Sequence, residues 1–149
     1  MSISTDSVEQ YLHDHIPMTR HLGISVRAWD GESLHLSAPL EPNLNHRQTA
    51  FGGSVASVAI MAGWSLVHLR LLERDLECRL VIQTSHMEFL RAVETDFEAV
   101  ATSPAGESWD RLFAGLERRS AGRIDVASDV LASGELVAEH TGRYVALSR

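Results

Sequence analysis

A pair of glycines, Gly52 and Gly53, begins a long apolar run and is the strongest chemical signal in this chain. Residues 49–72 read TAFGGSVASVAIMAGWSLVHLRLL, which would be apolar on every side of a helix. Such a helix is enclosed by protein or by lipid. The first N–H groups of a helix have no partner within it, and glycine allows a ligand to approach them closely. We therefore predict a buried helix whose N-terminus, at Gly53, polarises a carbonyl group.

Polar side chains flank the glycine pair, and each has a structural alternative. Asn43, Asn45 and His46 lie in a polar loop before the pair. The asparagines could orient a water molecule or a carbonyl, but they also commonly brace turns. Ser54 is suited to an N-cap. Ser57 would share a helix face with the second glycine, where its hydroxyl could hold a water molecule or bond back to a helix carbonyl.

Two histidines are candidate bases, because imidazole titrates near neutral pH. His46 lies in the polar loop, and His86 lies in a predicted strand in phase with Thr84 and Glu88. His86 could instead pack at a dimer interface, and Glu88 could be an ordinary exposed carboxylate. The chain contains no G-x-S-x-G motif, and its eight histidines show no metal-ligand spacing. We therefore predict neither a serine triad nor a metal site.

Composition narrows the class of protein. The 149 residues, 44% of them hydrophobic, suit one domain over residues 1–149. A net charge of −7 disfavours nucleic acid as a partner. All 13 basic residues are arginine, which excludes a Schiff-base lysine. The single cysteine, Cys78, excludes an internal disulfide and favours a cytoplasmic location.

Hydrophobic periodicity predicts the first strands. Residues 24–29 and 33–38 both alternate, with Val26 and Ala28 expected on the same side of the first strand. Asp30-Gly31 between them predicts a two-residue hairpin turn. The order of elements that follows is a buried helix, two strands, a short helix and two more strands.

The later elements include a strand at residues 80–91, with residues 95–102 expected as its hairpin partner. Polar groups within the apolar run, His68 and Arg70 among them, make a core helix over residues 53–73 a better explanation than a membrane span. The polar first 15 residues do not look like a signal peptide. Further elements are expected at residues 5–15 (helix), 107–117 (helix), 124–130 (strand) and 136–147 (strand).

This pattern predicts an α+β fold in which a largely antiparallel sheet covers the apolar helix. It resembles the hot-dog fold, and in particular a thioesterase family whose domain also occurs fused behind an acetyltransferase domain. The resemblance extends from about His15 to Val145. It depends on four blocks of sequence: Asn43-Leu44-Asn45, Thr49-Ala50-Phe51-Gly52-Gly53-Ser54, Ala62-Gly63-Trp64 and Ser85-His86-Met87-Glu88-Phe89-Leu90-Arg91-Ala92.

The resemblance implies about six mostly antiparallel strands wrapped around one long buried helix. It also implies hydrolysis of an acyl thioester carried by coenzyme A or acyl carrier protein, without a cofactor. Proteins of this kind are usually homodimers or dimers of dimers, with two sites at the subunit interface. The acyl carbonyl would lie over the helix N-terminus.

This sequence departs from the better-understood hot-dog thioesterases at two places. Phe51 stands where a histidine often precedes the glycine pair, and residues 54–72 contain no carboxylate. The candidate catalytic residues are therefore Asn45, Gly53 and Ser57. The candidate substrate-binding residues are Asn43, His46, Phe51, Gly52, Ser54, Thr84, His86 and Arg91.

Coenzyme A is polyanionic, so arginines must receive its phosphates in an acidic chain. The candidates are Arg91, Arg118, Arg119, Arg123 and Arg143, each of which could equally be a solvated surface charge.

Two other functions stay open. The absent helix carboxylate motivates a non-catalytic acyl-CoA or acyl-carrier binding module. A hot-dog dehydratase is less well supported, because that chemistry needs a histidine and a carboxylate facing each other across the site.

Overall fold

The computed structural model describes residues 3–149. Within this range, six antiparallel strands form one sheet that curls around a long helix, α3. The strand order is β1-β2-β4-β5-β6-β3. The elements are α1 (Thr5–His15), α2 (Met18–Leu22), β1 (Ser25–Trp29), β2 (Ser33–Ala38), a 3-10 turn (Glu41–Asn43), α3 (Gly52–Glu73), β3 (Cys78–Phe89), β4 (Phe97–Thr102), α4 (Gly106–Arg119), β5 (Ala121–Ala132) and β6 (Glu135–Ser148).

The predicted α+β hot-dog architecture is confirmed. Helix α3 begins one residue before the predicted start and ends at the predicted residue, Glu73. It is long and apolar enough to cross a membrane by length and composition, but 61% of its most apolar window is buried inside the fold. Val58, Ala62 and Leu66 on this helix are fully buried, so α3 is the core helix of the domain.

Tyr144 on β6 locks the sheet against the middle of α3. Its hydroxyl donates to the carbonyl of Ile60 at 2.8 Å. The Tyr144 ring occupies the space that a side chain at Gly63 would fill, so glycine is required there. Trp64 Nε1 adds a second link from the helix to the sheet by donating to the Leu80 carbonyl at 2.9 Å.

The predicted pairing of β3 with β4 is wrong. Strand β3 pairs with β6 and forms one edge of the sheet, whereas β4 pairs with β2 and β5. Strands β3 and β6 are 12 and 14 residues long, so they form a longer ladder than β3 could form with the six-residue β4. Residues 90–96 carry the chain between the two strands, and the Val93 carbonyl accepts the Ala50 N–H at 2.8 Å beside the start of α3.

The first hairpin is confirmed, with two differences in detail. Three residues rather than two separate β1 from β2, and Asp30 Oδ1 accepts the N–H groups of Glu32 and Ser33 at 2.8 Å. A bulge between Val26 and Ala28 inserts one extra residue into β1. Ala28 is therefore exposed, against the prediction, because a bulge reverses the alternation of faces beyond it.

Candidate active site

The N-terminus of α3 presents free backbone donors. Ser54 and Val55 donate their N–H groups to the Phe51 carbonyl, at 2.9 and 3.1 Å. Among residues 3–149, neither the Gly52 N–H nor the Gly53 N–H donates a hydrogen bond. Two unpaired N–H groups at the positive end of a 22-residue helix form a site that favours a developing negative charge.

Aromatic rings surround this helix end. Phe51 and Phe89 are 57% and 56% exposed, which is unusual for large apolar side chains. The Phe89 ring lies 3.6 Å from where a Cβ on Gly52 would be. The Phe51 ring folds back over Gly53 so closely that a Cβ there would overlap it. A side chain at position 53 would therefore have to displace the exposed Phe51 ring.

Asn45 braces the loop before the helix. Its Oδ1 accepts the N–H groups of Arg47 and Thr49, at 2.8 and 3.2 Å. Its Nδ2 donates to Thr49 Oγ1 at 2.8 Å and to the Ala50 carbonyl at 3.4 Å. These bonds agree with the structural alternative for Asn45, in which the side chain braces the loop that leads into α3.

Asn43 ties the same loop to the rest of the domain. It is buried, and its Nδ2 donates to the carbonyls of Leu22 and Pro39, both at 2.8 Å. The backbone carbonyl of Asn43 accepts the Phe51 N–H at 2.7 Å. Asn43 therefore fixes the position at which the chain enters α3.

Ser54 does not have its predicted role, whereas Ser57 makes one of the two kinds of bond expected of it. The N-cap residue of α3 is Phe51, without a side-chain cap bond, so the prediction of Ser54 as N-cap is wrong. The extended conformation that an N-cap requires occurs three residues earlier, at Phe51. Ser57 Oγ donates to the Gly53 carbonyl at 2.7 Å, as in the structural alternative for this residue.

A buried histidine that the sequence analysis did not single out lies on the helix-facing side of the sheet. His140 on β6 is 2% exposed, and its Nε2 lies 2.8 Å from Ser85 Oγ on β3. Within residues 3–149, His140 Nδ1 and Ser128 Oγ, directly opposite it on β5, are buried without a hydrogen-bond partner. Burial, followed by the nearby His86, lowers the pKa of His140 below its usual value. The imidazole is therefore neutral at pH 7.

The register of β6 places His140 close to the helix end. Ala138 lies opposite Phe89, whose ring contacts Gly52. His140 follows Ala138 by two residues, or about 7 Å along the strand on the same face. The Ser85–His140 pair and the free N–H groups thus lie at the same end of α3.

The family of the chain follows from its sequence as a whole. Residues 5–148 match the family described as "Putative thioesterase (yiiD_Cterm)". The chain belongs to this thioesterase family. The family and the fold together support thioester hydrolysis in general, and the resemblance seen in the sequence is confirmed.

Solved structures show how closely this thioesterase-family fold is shared. A Chlorobaculum tepidum protein of unknown function is 29% identical, with a TM-score of 0.93 over 97% of this chain and 94% of that one. A protein from Shewanella oneidensis described as a putative thioesterase is 24% identical, with a TM-score of 0.86 over 96% of each chain. A Haemophilus influenzae thioesterase is 16% identical, with a TM-score of 0.78 over 99% of this chain and 93% of that one. The last two likenesses concern the fold alone.

In this thioesterase-family chain, Thr84 and His86 lie on the face of the sheet that is turned away from α3. They lie opposite Arg143 and Thr141 of β6, which are exposed. A bulge at Gln83 causes this orientation. Without the bulge, the alternation of the preceding residues would turn Thr84 and His86 toward α3. His86 Nε2 is instead 2.9 Å from the exposed carboxylate of Glu88.

The other predicted binding residues lie at the surface near the helix end. Arg91 follows β3 and forms an ion pair with Glu135 at 2.6 Å. His46 is exposed on the loop that Asn45 braces. Among residues 3–149, no three His, Cys, Asp or Glu side chains are grouped so that they could hold a metal ion.

Proposed function

We propose that this protein hydrolyses an acyl thioester of coenzyme A or acyl carrier protein, with the acyl carbonyl bound over the N-terminus of α3. The observation that carries the proposal is the pair of unpaired N–H groups at Gly52 and Gly53 in a member of a thioesterase family. As the carbonyl becomes tetrahedral, its oxygen gains negative charge, which these donors and the helix dipole stabilise. A cytoplasmic location is part of the proposal, since the free thiol of Cys78 suits a reducing compartment.

The Ser85–His140 pair is the proposed base, because α3 offers no carboxylate between residues 54 and 72. A water oxygen bonds to the carbonyl carbon while its proton passes to Ser85 Oγ and the Ser85 proton passes to His140 Nε2. Collapse of the adduct then breaks the C–S bond, and the proton on His140 returns to the departing thiolate. A neutral imidazole within 2.8 Å of the relaying hydroxyl suits this role.

The remaining predicted residues have supporting roles in the proposal. Asn45 and Asn43 hold the loop that delivers Phe51 and the glycine pair. Ser57 lies one turn into α3 and offers a hydroxyl oxygen that can still accept a bond from a bound water. Ser54, His46 and Arg91 lie around the entrance to the helix end and would contact the carrier part of the substrate. Thr84 and His86 face away from α3 and are not part of the proposed site.

A homodimer completes the proposed site. Strand β3 forms an open edge of the sheet, and Phe51, Phe89 and Leu90 are exposed at the end where the helix begins. An unpaired edge strand is a ready partner for a second copy. A two-fold interface along β3 would cover these side chains and form two clefts, and pairs of such dimers would give a dimer of dimers.

A panel of acyl-CoAs, assayed with a reagent for the released thiol, tests the activity. Two substitutions at one position test the donor: Gly53→Ala and Gly53→Pro both displace the Phe51 ring, but only proline lacks the N–H. Proline is tolerated in the first turn of a helix, where no hydrogen bond is lost. We expect kcat for G53P to be about 100-fold below that of G53A, since removal of one oxyanion donor commonly has this effect.

Thermal unfolding of both variants serves as the control for folding. Equal kcat values in G53A and G53P, with both proteins folded, would show that the Gly53 N–H takes no part in the reaction.

A non-catalytic acyl-thioester binding module is the second candidate. The observation in its favour is that the side chains of Asn43, Asn45 and Ser57 are already engaged in bonds within the chain. Binding of acyl-CoAs without thiol release across the panel would support this function and overturn the hydrolase proposal.

A further inference from the structure

A cavity of about 610 Å³ lies between α4 and the face of the sheet turned away from α3. Helix α4 contributes Arg111 and Arg119, β5 contributes Arg123, and β6 contributes Arg143. One carboxylate, Asp125, faces these four arginines, although the whole chain has a net charge of −7. The cavity is thus a local concentration of positive charge on an acidic protein.

The two arginines of the sheet are held in place by neighbours. Arg143 forms two hydrogen bonds to the Asp125 carboxylate, at 2.9 and 3.3 Å. Arg123 Nε donates to Gln83 Oε1 at 3.1 Å. Each guanidinium carries five N–H donors, so both retain donors for a ligand in a fixed orientation.

The floor of the cavity differs chemically from its rim. Val145 and Leu147 of β6 are half-buried and give the floor an apolar surface. The volume falls within the range of small-molecule sites. A ligand with phosphate groups and a flat, weakly polar ring system would match both parts, because guanidinium binds phosphate through paired hydrogen bonds.

The cavity is separate from the helix end within one chain. It opens on the outer face of the sheet, and Arg143 is five residues along β6 from Ala138, which lies opposite Phe89. Five residues of strand span about 17 Å. A ligand in this cavity therefore does not compete for the space at Gly53.

We propose that this arginine-lined cavity binds the phosphates and base of a nucleotide with two or more phosphate groups. The nucleotide could be the 3′-phosphorylated ADP part of coenzyme A or a free nucleotide. Only the first source, coenzyme A, rests on the proposed function. For coenzyme A, the acyl arm would have to reach from this cavity to the N-terminus of α3 in one of the two subunits of a dimer.

Isothermal titration calorimetry of the full chain with adenosine 3′,5′-bisphosphate, and with adenosine as the uncharged probe, tests the site. The variant Arg111→Gln/Arg119→Gln removes two charges from the cavity. Arg118→Gln is the matched control, because Arg118 neighbours Arg119 on α4 and does not line the cavity. We expect the double variant to bind the bisphosphate about tenfold or more weakly, as the loss of charged hydrogen bonds to phosphate predicts, and R118Q to bind it as the native chain does.

Kinetics on two substrates identify the source of the nucleotide. Acyl-CoA carries the nucleotide and acyl-pantetheine lacks it. A rise in KM for acyl-CoA alone in R111Q/R119Q supports coenzyme A as the ligand. Unchanged KM values for both substrates, with bisphosphate binding lost, support a free nucleotide.

The proposal is overturned if the native chain does not bind the bisphosphate, or if R111Q/R119Q binds it as tightly as the native chain. Failure of the proposed function is a different result. In that case the native chain hydrolyses neither acyl-CoA nor acyl-pantetheine, while the titration still reports on the cavity.

Discussion

The side chain of Asn45 bonds within its own loop, so its effect on the proposed reaction would be indirect. Its side chain makes four hydrogen bonds that close the loop before α3. Substitution by alanine leaves the N–H groups of Arg47 and Thr49 without their acceptor, so the loop and the Phe51 it presents lose their position. We expect Asn45→Ala to lower turnover of the best acyl-CoA by at least about tenfold.

Asn45→Asp is the matched variant, because a carboxylate keeps the acceptor oxygens for both N–H groups. Recovery of most of the turnover in N45D would assign Asn45 to loop positioning. Turnover as low as that of N45A would assign it to a direct contact with substrate through Nδ2. Native turnover in N45A would remove Asn45 from the site.

His140 provides a prediction about pH. A base acts when it is unprotonated, and burial lowers the pKa of His140. The rate should therefore be constant around neutral pH and fall only in acid, below the usual titration range of histidine. We expect His140→Gln to lower kcat/KM by about 100-fold and to abolish the acid limb of the profile.

His35→Gln is the control, since His35 lies on β2, away from the helix end. A profile that keeps the same acid limb in H140Q would exclude His140 as the base. Loss of activity in H35Q as well would indicate a general effect on the fold.

At the scale of elements, α1 and α3 meet through stacked rings. His68 on α3 stacks on Tyr11 of α1 and on Trp64, with ring centroids 4.6 and 4.9 Å apart. Burial, and to a smaller extent the nearby His15, lowers the pKa of His68 from 6.5 to about 4. Between these values the unfolded chain binds a proton that the folded chain does not.

The free energy of unfolding should therefore be lower at pH 4 than at pH 6.5, with up to about 3 kcal/mol of the difference due to His68. This contribution should become constant once the pH is well above 6.5. Urea unfolding at a series of pH values measures it. In His68→Gln this part of the pH dependence should disappear, while His21→Gln, at an exposed position on α2, should keep it. An identical pH dependence in H68Q and the native chain would contradict the linkage.

The elements also differ in how well local sequence predicts them. Helix α3 follows from its own composition, because a segment of this length that is apolar on every side must be enclosed, and its polar groups disfavour a membrane. The partner of β3 does not follow from local pattern, since Leu80 pairs with Ala146 across more than sixty residues. A strand pairs with the partner that offers the longest matched ladder, and that partner can lie anywhere along the chain.

On the scale of the whole molecule, the open edge at β3 predicts assembly. We expect analytical ultracentrifugation to show a dimer, and Val81→Arg to shift it toward monomer. Val81 is 45% exposed near the start of the edge strand, and an added charge there opposes pairing with a second copy. Val100→Arg makes the same change on β4, which is an interior strand of the sheet rather than an edge strand, and should leave the dimer intact.

A monomeric native chain at assay concentrations would contradict the dimer. A dimer in V81R as stable as that of the native chain would show that this edge is not the interface.

The amino-acid sequence by itself determined the central helix with its glycine-marked start, the first hairpin and the α+β class, because periodicity and turn preferences act over a few neighbouring residues. It also carried enough of the family pattern to identify the thioesterase family to which the chain belongs. Only the tertiary structure decided which side chains share a face and which distant residues meet. One inserted residue at Gln83 turns Thr84 and His86 away from the helix and brings Ser85 to His140. Such register depends on contacts between strands far apart in the chain, so no local pattern contains it.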